Sequence, residues 1–217
     1  MGRRASTKAS GVLLAFVVHA AAPAFAAEPA RCHYSYTVWN VKTRSSLLRR
    51  AVDKPYSELK KEEKGPFGCT PCEEDQTRIS LSNGIEVKVC SGAAGGLRGA
   101  LEDALRRGQK ISSLVGHRPQ VSRGPADAHG NRTQLSNHSF GTAVDVNEGS
   151  NGLYEDCPEW SSRCILRKGG LYRPGLDPLS LTAESPAVVE LEKMGWKWGG
   201  RIAGKQKDFM HFSPTGY

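Results

Sequence analysis

Hydrophobic residues change their spacing several times along this chain, and each change predicts an element. Gly11 to Phe25 is a nearly unbroken apolar run preceded by Arg3, Arg4 and Lys8. It is Ala-rich, is broken by His19 and Pro23, and falls short of the roughly 20 apolar residues a membrane span needs. With Ala24-Phe25-Ala26 as a cleavage site it predicts an export signal over residues 1–26 and not an anchor. Further on, Arg78 to Ser82 and Ile85 to Val89 alternate apolar with polar around Asn83-Gly84. That pattern predicts a hairpin with a type I′ turn, because Asn and Gly both tolerate positive φ. Leu97, Ala100, Leu101, Ala104 and Leu105 share one face of a helix predicted over 96–107 and ended by Gly108. Ile111 to Val115 is a short apolar stretch, residues 120–137 read as a loop, and Thr142 to Val146 reads as a strand. A second helix is predicted from Ser185 as N-cap and Pro186 at the first position, stopping at Gly195. Tyr56 to Lys64 is a charged, helix-prone stretch. Hairpins mixed with separate helices predict an α+β fold, a small antiparallel sheet flanked by helices.

Composition adds compartment and class. The chain has 217 residues with 30 Lys+Arg against 22 Asp+Glu, a formal charge of +8. Three of those cations lie in the export signal, so the surplus on the rest is modest. It fits an anionic wall but does not itself argue for one. A pI near 9.3 raises nucleic-acid binding, yet no aromatic-basic repeat or helix-turn-helix signal supports it, and the export signal opposes it. All six cysteines (Cys32, Cys69, Cys72, Cys90, Cys157, Cys164) follow the cleavage point. An even count in an exported chain predicts three disulfides, which leaves 15 possible pairings. Cys157 with Cys164 is the favoured single pair, since the loop between them is short. Cys69-Thr-Pro-Cys72 alone also admits a redox pair or half a zinc ribbon, but no second such motif exists. The predicted division is signal 1–26, a disulfide-stapled extension 27–76, and a main domain 77–217.

Two histidines stand out by context. His138 begins His-Ser-Phe-Gly-Thr-Ala-Val-Asp, which places Asp145 seven residues on, and His211 closes Asp208-Phe209-Met210-His211. Two imidazoles and a carboxylate suit zinc, and three protein ligands leave a fourth position for water, the mark of a catalytic site. Asp208 would then serve as general base. Spacing alone leaves this open. Two residues seven apart on an ideal strand point to opposite faces, and a surface His with a capping Asp is the plainer alternative.

The run Ser136-Asn137-His138-Ser139-Phe140-Gly141-Thr142-Ala143-Val144-Asp145 resembles the S-x-H-x-x-G-x-A-x-D signature of zinc peptidases that cleave bacterial cell-wall peptides. These are the VanY- and VanX-type D-Ala-D-Ala peptidases and the L-alanyl-D-glutamate endopeptidases, with which the hedgehog domain shares its fold. Gly195-Trp196-Lys197-Trp198-Gly199-Gly200 followed by Asp208 to Phe212 resembles the second signature. The resemblance covers about residues 78–213. It implies zinc held by His138, Asp145 and His211, Asp208 as catalytic base, and Arg118 as the cation that holds the substrate carbonyl and its oxyanion. In Gly116-His117-Arg118-Pro119, His117 and Pro119 depart from the usual Gly-Tyr-Arg-Ser, which weakens the Arg118 correspondence. Ser136 and Trp198 are further candidates for substrate contact, although aromatics in such a segment are more often packing.

What the resemblance implies for function is an exported monomeric hydrolase of peptidoglycan stem peptides, working in the periplasm or outside the cell. An Asp base and the Trp-x-Trp-Gly-Gly run look more like the L-Ala-D-Glu endopeptidases. D-Ala-D-Ala carboxypeptidase is the runner-up, and an inactive zinc-bearing wall-binding module the alternative from another class. Gly149 to Glu184 is longer than compact relatives need; it reads equally well as a specificity insert or a stabilising loop.

Overall fold

The computed structural model describes residues 1–2 and 30–217, so the predicted export signal lies outside the described residues apart from its first two positions. The chain enters as a long antiparallel hairpin, β1 (Arg31–Asn40) and β2 (Ser45–Pro55). The predicted helix after it does not form. Tyr56–Glu58 and Lys61–Glu63 are single 3₁₀ turns. A nine-residue isolated helix is marginal in water, and here Glu63 is engaged elsewhere. Its carboxylate accepts hydrogen bonds from Tyr34 Oη (2.5 Å), Lys54 Nζ (2.6 Å) and the Lys60 amide (2.9 Å).

Next come β3 (Gln76–Ser80) and β4 (Glu86–Cys90), paired as the alternation predicts, with Ile79 opposite Val87. The turn differs from the prediction. Gly84 has φ +84 but Asn83 stays at negative φ, so a type I′ turn is excluded. The Gly84 amide bonds Leu81 O and the Leu81 amide bonds Ile85 O, both at 2.9 Å. This is a three-residue loop with Gly in the left-handed position, which absorbs the twist through one residue and not two. Helix α1 (Ser91–Arg106) begins five residues before the predicted start. Its first turns are small residues, with Ala93 and Ala94 buried, so packing outweighs the low propensity of its glycines. Gly108, at φ +89, lies just past its end.

The second half runs through β5 (Leu114–Val115), β6 (Gln120–Ala126), β7 (Arg132–Leu135), β8 (Val144–Val146), β9 (Leu153–Glu155) and β10 (Ile165–Lys168). It continues through α2 (Pro186–Lys193), β11 (Lys197–Trp198), β12 (Lys207–Asp208) and β13 (His211–Ser213). Helix α2 starts after Ser185 and is followed by Gly195 as predicted, but the Ser185 hydroxyl accepts from the Thr182 amide at 2.8 Å and makes no cap bond to the helix. Residues 120–137, read as loop, instead supply the β6–β7 hairpin, which joins the first hairpin in a sheet of order β2-β1-β6-β7. The β1–β6 pairing is parallel, so the α+β class holds but the sheet is not wholly antiparallel. A second sheet has order β11-β13-β8-β5, a third β10-β9-β12, and β3-β4 stands as a pair.

The main core lies between the β11-β13-β8-β5 sheet and the helices, with Val144, Val146 and Phe212 against Leu97, Leu101, Val188, Leu191 and Trp196. Three disulfides form, Cys32–Cys72, Cys69–Cys90 and Cys157–Cys164. The first two staple the segment after the β1–β2 hairpin to β1 and to the start of α1. Such bridges persist in oxidising compartments, which fits a protein outside the cytoplasm. Among the described residues, no helix is long and apolar enough to cross a membrane.

Candidate functional site

Strand pairing brings the two signatures together. Strand β13 pairs with β8 so that His211 lies directly opposite Asp145, and β5 pairs on the other side with Val115 opposite Asp145. His138 enters from a 3₁₀ turn, Asn137–Phe140, ended by Gly141 at φ +64. That left-handed residue reverses the chain and removes the parity obstacle that a continuous strand would impose. A Cβ on Gly141 would sit 2.1 Å from Gln76 Oε1 and 2.4 Å from the Cys90 amide nitrogen, so the position admits only glycine.

Among the described residues, His138, Asp145 and His211 form one group able to hold a metal ion, and all three are buried. His138 Nε2 lies 3.0 Å from Asp145 Oδ1 and 3.2 Å from His211 Nδ1, and His211 Nδ1 lies 3.0 Å from the same oxygen. His138 Nδ1 faces Gly116 O at 2.8 Å. That bond places the ring proton on Nδ1 and leaves the Nε2 lone pair aimed into the triangle. Tetrahedral zinc bonds of about 2.0–2.1 Å put ligand atoms roughly 3.3 Å apart, close to these edges. The residues therefore fit zinc. Burial opposes ionisation of Asp145, yet the charges and hydrogen bonds of the two imidazoles hold its carboxyl well below the usual range.

Asp208 ends β12, three residues before His211, and its Oδ1 is buried without a hydrogen-bond partner. Burial pushes its carboxyl up to about 7. The His211 charge opposes the rise, Asp145 adds to it, and Lys168 and Arg123 oppose it. A carboxyl with such a pKa exchanges protons near neutrality. Its turn is built from below and from the side. Trp198 is buried and its indole N–H donates to Phe209 O at 2.8 Å. Phe209 stacks on Tyr172, with ring centroids 3.6 Å apart, and Tyr154 and Trp160 meet its ring edge-on. The last three belong to the 149–184 segment, which also pairs β9 with β12, Leu153 opposite Asp208.

The other sequence candidates fall into place around this group. Arg118 Nη2 stands 3.8 Å from Asp145 Oδ2, its Nη1 donates to Gln120 Oε1 at 3.3 Å, and its backbone amide bonds His138 O. Ser136 precedes the His138 turn. Its hydroxyl lies 3.1 Å from Ser139 Oγ, and Ser139 N bonds Ser136 O, so it shapes the turn. Trp198 and Trp196 are both buried, which places Trp198 beneath the Asp208 turn. His117 is buried, its Nε2 faces Pro71 O at 3.1 Å, and burial lowers its pKa to about 4.

Two cations that no motif singled out also reach the site. Lys168 Nζ, at the end of β10, lies 4.0 Å from Asp145 Oδ2. Arg123 acts on Asp208 electrostatically while its guanidinium covers the Tyr217 ring at 5.1 Å. Lys168 precedes Gly169-Gly170, but nothing in the linear sequence ties it to a residue 23 positions away.

Residues 129–214 match the family model described as D-alanyl-D-alanine carboxypeptidase. The match supports the VanY-like family. It spans His138, Asp145, Asp208 and His211, and it supports a peptidase. Searches of curated proteins and of solved structures return no significant match.

Proposed function

We propose that the chain is an exported zinc metallopeptidase that hydrolyses peptide bonds in peptidoglycan stem peptides, in the periplasm or outside the cell. The observation that carries this reading is the buried His138, Asp145 and His211 triangle, with the unpartnered Asp208 carboxylate acting on the same charges. Zinc, when bound by the triangle, supplies Lewis acidity to a scissile carbonyl and to water. The chain's own residues do the rest. Asp208 takes a proton from the attacking water and returns it to the leaving amine. Arg118, a fixed cation beside Asp145, faces negative charge developing on the carbonyl oxygen. The aromatic bed under Phe209 holds Asp208 in place.

Two bonds compete as the target. An Asp base with the Trp-x-Trp-Gly-Gly run favours cleavage between L-Ala and D-Glu. The description of the matching family favours release of terminal D-Ala. Mass spectrometry of peptidoglycan fragments after incubation with zinc-loaded protein, beside an EDTA-treated control, tests both. Metal-dependent cleavage at either bond is expected. Intact fragments in a sample holding one zinc per chain would shift the reading to a wall-binding module.

A further inference from the structure

We propose that Lys168 binds the free α-carboxylate of the residue on the leaving side of the scissile bond. The inference rests on the peptidase reading and adds to it a specificity-determining residue for the carboxylate that sits on the same carbon as the scissile nitrogen.

Asp145 divides its two oxygens. Oδ1 faces both imidazoles, whereas Oδ2 faces Arg118 at 3.8 Å and Lys168 at 4.0 Å. Neither cation is close enough to be consumed by that oxygen, and both remain accessible, with side chains 40% and 43% exposed. Lys168 has one nearer partner, Glu148 Oε1 at 3.0 Å, itself 30% exposed. Around the triangle the cations Arg118 and Lys168 therefore stand against the carboxylate of Asp145 itself and the nearby Glu148. A divalent ion adds surplus positive charge at the centre, which an anionic group on the substrate offsets.

The backbone fixes where Lys168 stands. The Gly170 amide bonds Glu148 O at 2.8 Å. A Cβ on Gly170 would lie 1.7 Å from Gly149 O, and one on Gly152 would lie 2.9 Å from Lys168 O. The end of β10 thus lies flat on the segment that follows Asp145, while Cys157–Cys164 closes the loop between β9 and β10. A lysine on such a platform is a compact, mobile point charge suited to a carboxylate that arrives with the substrate. Stem peptides present that group at both candidate bonds. D-Glu linked through its γ-carboxyl keeps its α-carboxylate free, as does a terminal D-Ala.

Calorimetric binding to the zinc-loaded Asp208→Asn protein tests this. The probes are L-Ala-γ-D-Glu-L-Lys against its D-Glu α-amide, and acetyl-D-Ala-D-Ala against its C-terminal amide. The acid of one pair should bind roughly 10- to 100-fold more tightly than the amide, and that pair identifies the source of the carboxylate. Lys168→Met in the same background should bring the ratio near one with zinc stoichiometry and melting temperature unchanged, and Lys168→Arg should keep most of it. An acid preference that survives Lys168→Met, or no preference at all, overturns the proposal. Turnover of both acids by the wild type is read in parallel. Acid-selective binding without turnover upholds Lys168 and overturns the peptidase reading; turnover without acid preference does the reverse.

Discussion

A buried carboxylate oxygen with no hydrogen-bond partner is costly once ionised, and Asp208 carries that cost close enough to His211 to feel its charge. The proposed base role is a physical reason to keep it. Asp208→Asn should retain zinc and lose roughly 10²–10⁴-fold in kcat; full activity in that variant would remove Asp208 as the base. His138→Ala should lose metal and activity together, checked by metal analysis of the purified variant. His117 sets a pH limit of its own. Its pKa falls from 6.5 to about 4 in the fold, so its contribution is complete above pH 6.5 and declines as pH falls toward 4, where the unfolded state takes up the proton first. His117→Gln should flatten the loss of thermal stability over that window, and an equally steep loss would place its cause elsewhere. At this scale His138, Asp145, Asp208 and His211 were legible because their chemistry sits in short motifs. Lys168 and Arg123 were not, since a lone cation carries no local signature.

Among elements, the 149–184 segment supplies strand β9 beside Asp208 and three aromatic rings packed against Phe209. Opening Cys157–Cys164 by Ser substitution should therefore lower kcat more than zinc affinity; an unchanged kcat would make the bridge purely stabilising. Helix α2 and the β3–β4 pair were readable because their periodicity and caps are local. Strand β1 carries a local signal of the same kind. Cys32, Tyr34, Tyr36 and Val38 alternate with Arg31, His33, Ser35 and Thr37, and the first four positions alternate in burial accordingly. Strand β6 carries Gly124 and Pro125 of loop character, and its pairing with β1 on one side and β7 on the other decided the matter.

For the whole molecule, the first hairpin shares a sheet with β6 and β7, and Cys69–Cys90 ties the segment after it to the start of α1. Removing that bridge with Cys69→Ala and Cys90→Ala should cost about 2–4 kcal/mol, read by denaturant unfolding. Zinc at about 100 times its dissociation constant should add about 2.7 kcal/mol to the metal-free fold, seen as a higher melting temperature. A melting curve indifferent to zinc would count against the triangle as a metal site. By itself, the sequence determined the α+β class, the two helices, the β3–β4 hairpin and an even set of cysteines, and it marked four candidate residues through their resemblance to zinc peptidase signatures. These follow from local periodicity, caps and motifs that need no distant partner. Only the tertiary structure decided how Cys32, Cys69, Cys72 and Cys90 pair, that β1 enters beside β6, that Gly141 turns His138 toward Asp145, and that Lys168 stands 4.0 Å from the same carboxylate. Each of these depends on groups far apart in sequence meeting in space, which no local pattern encodes.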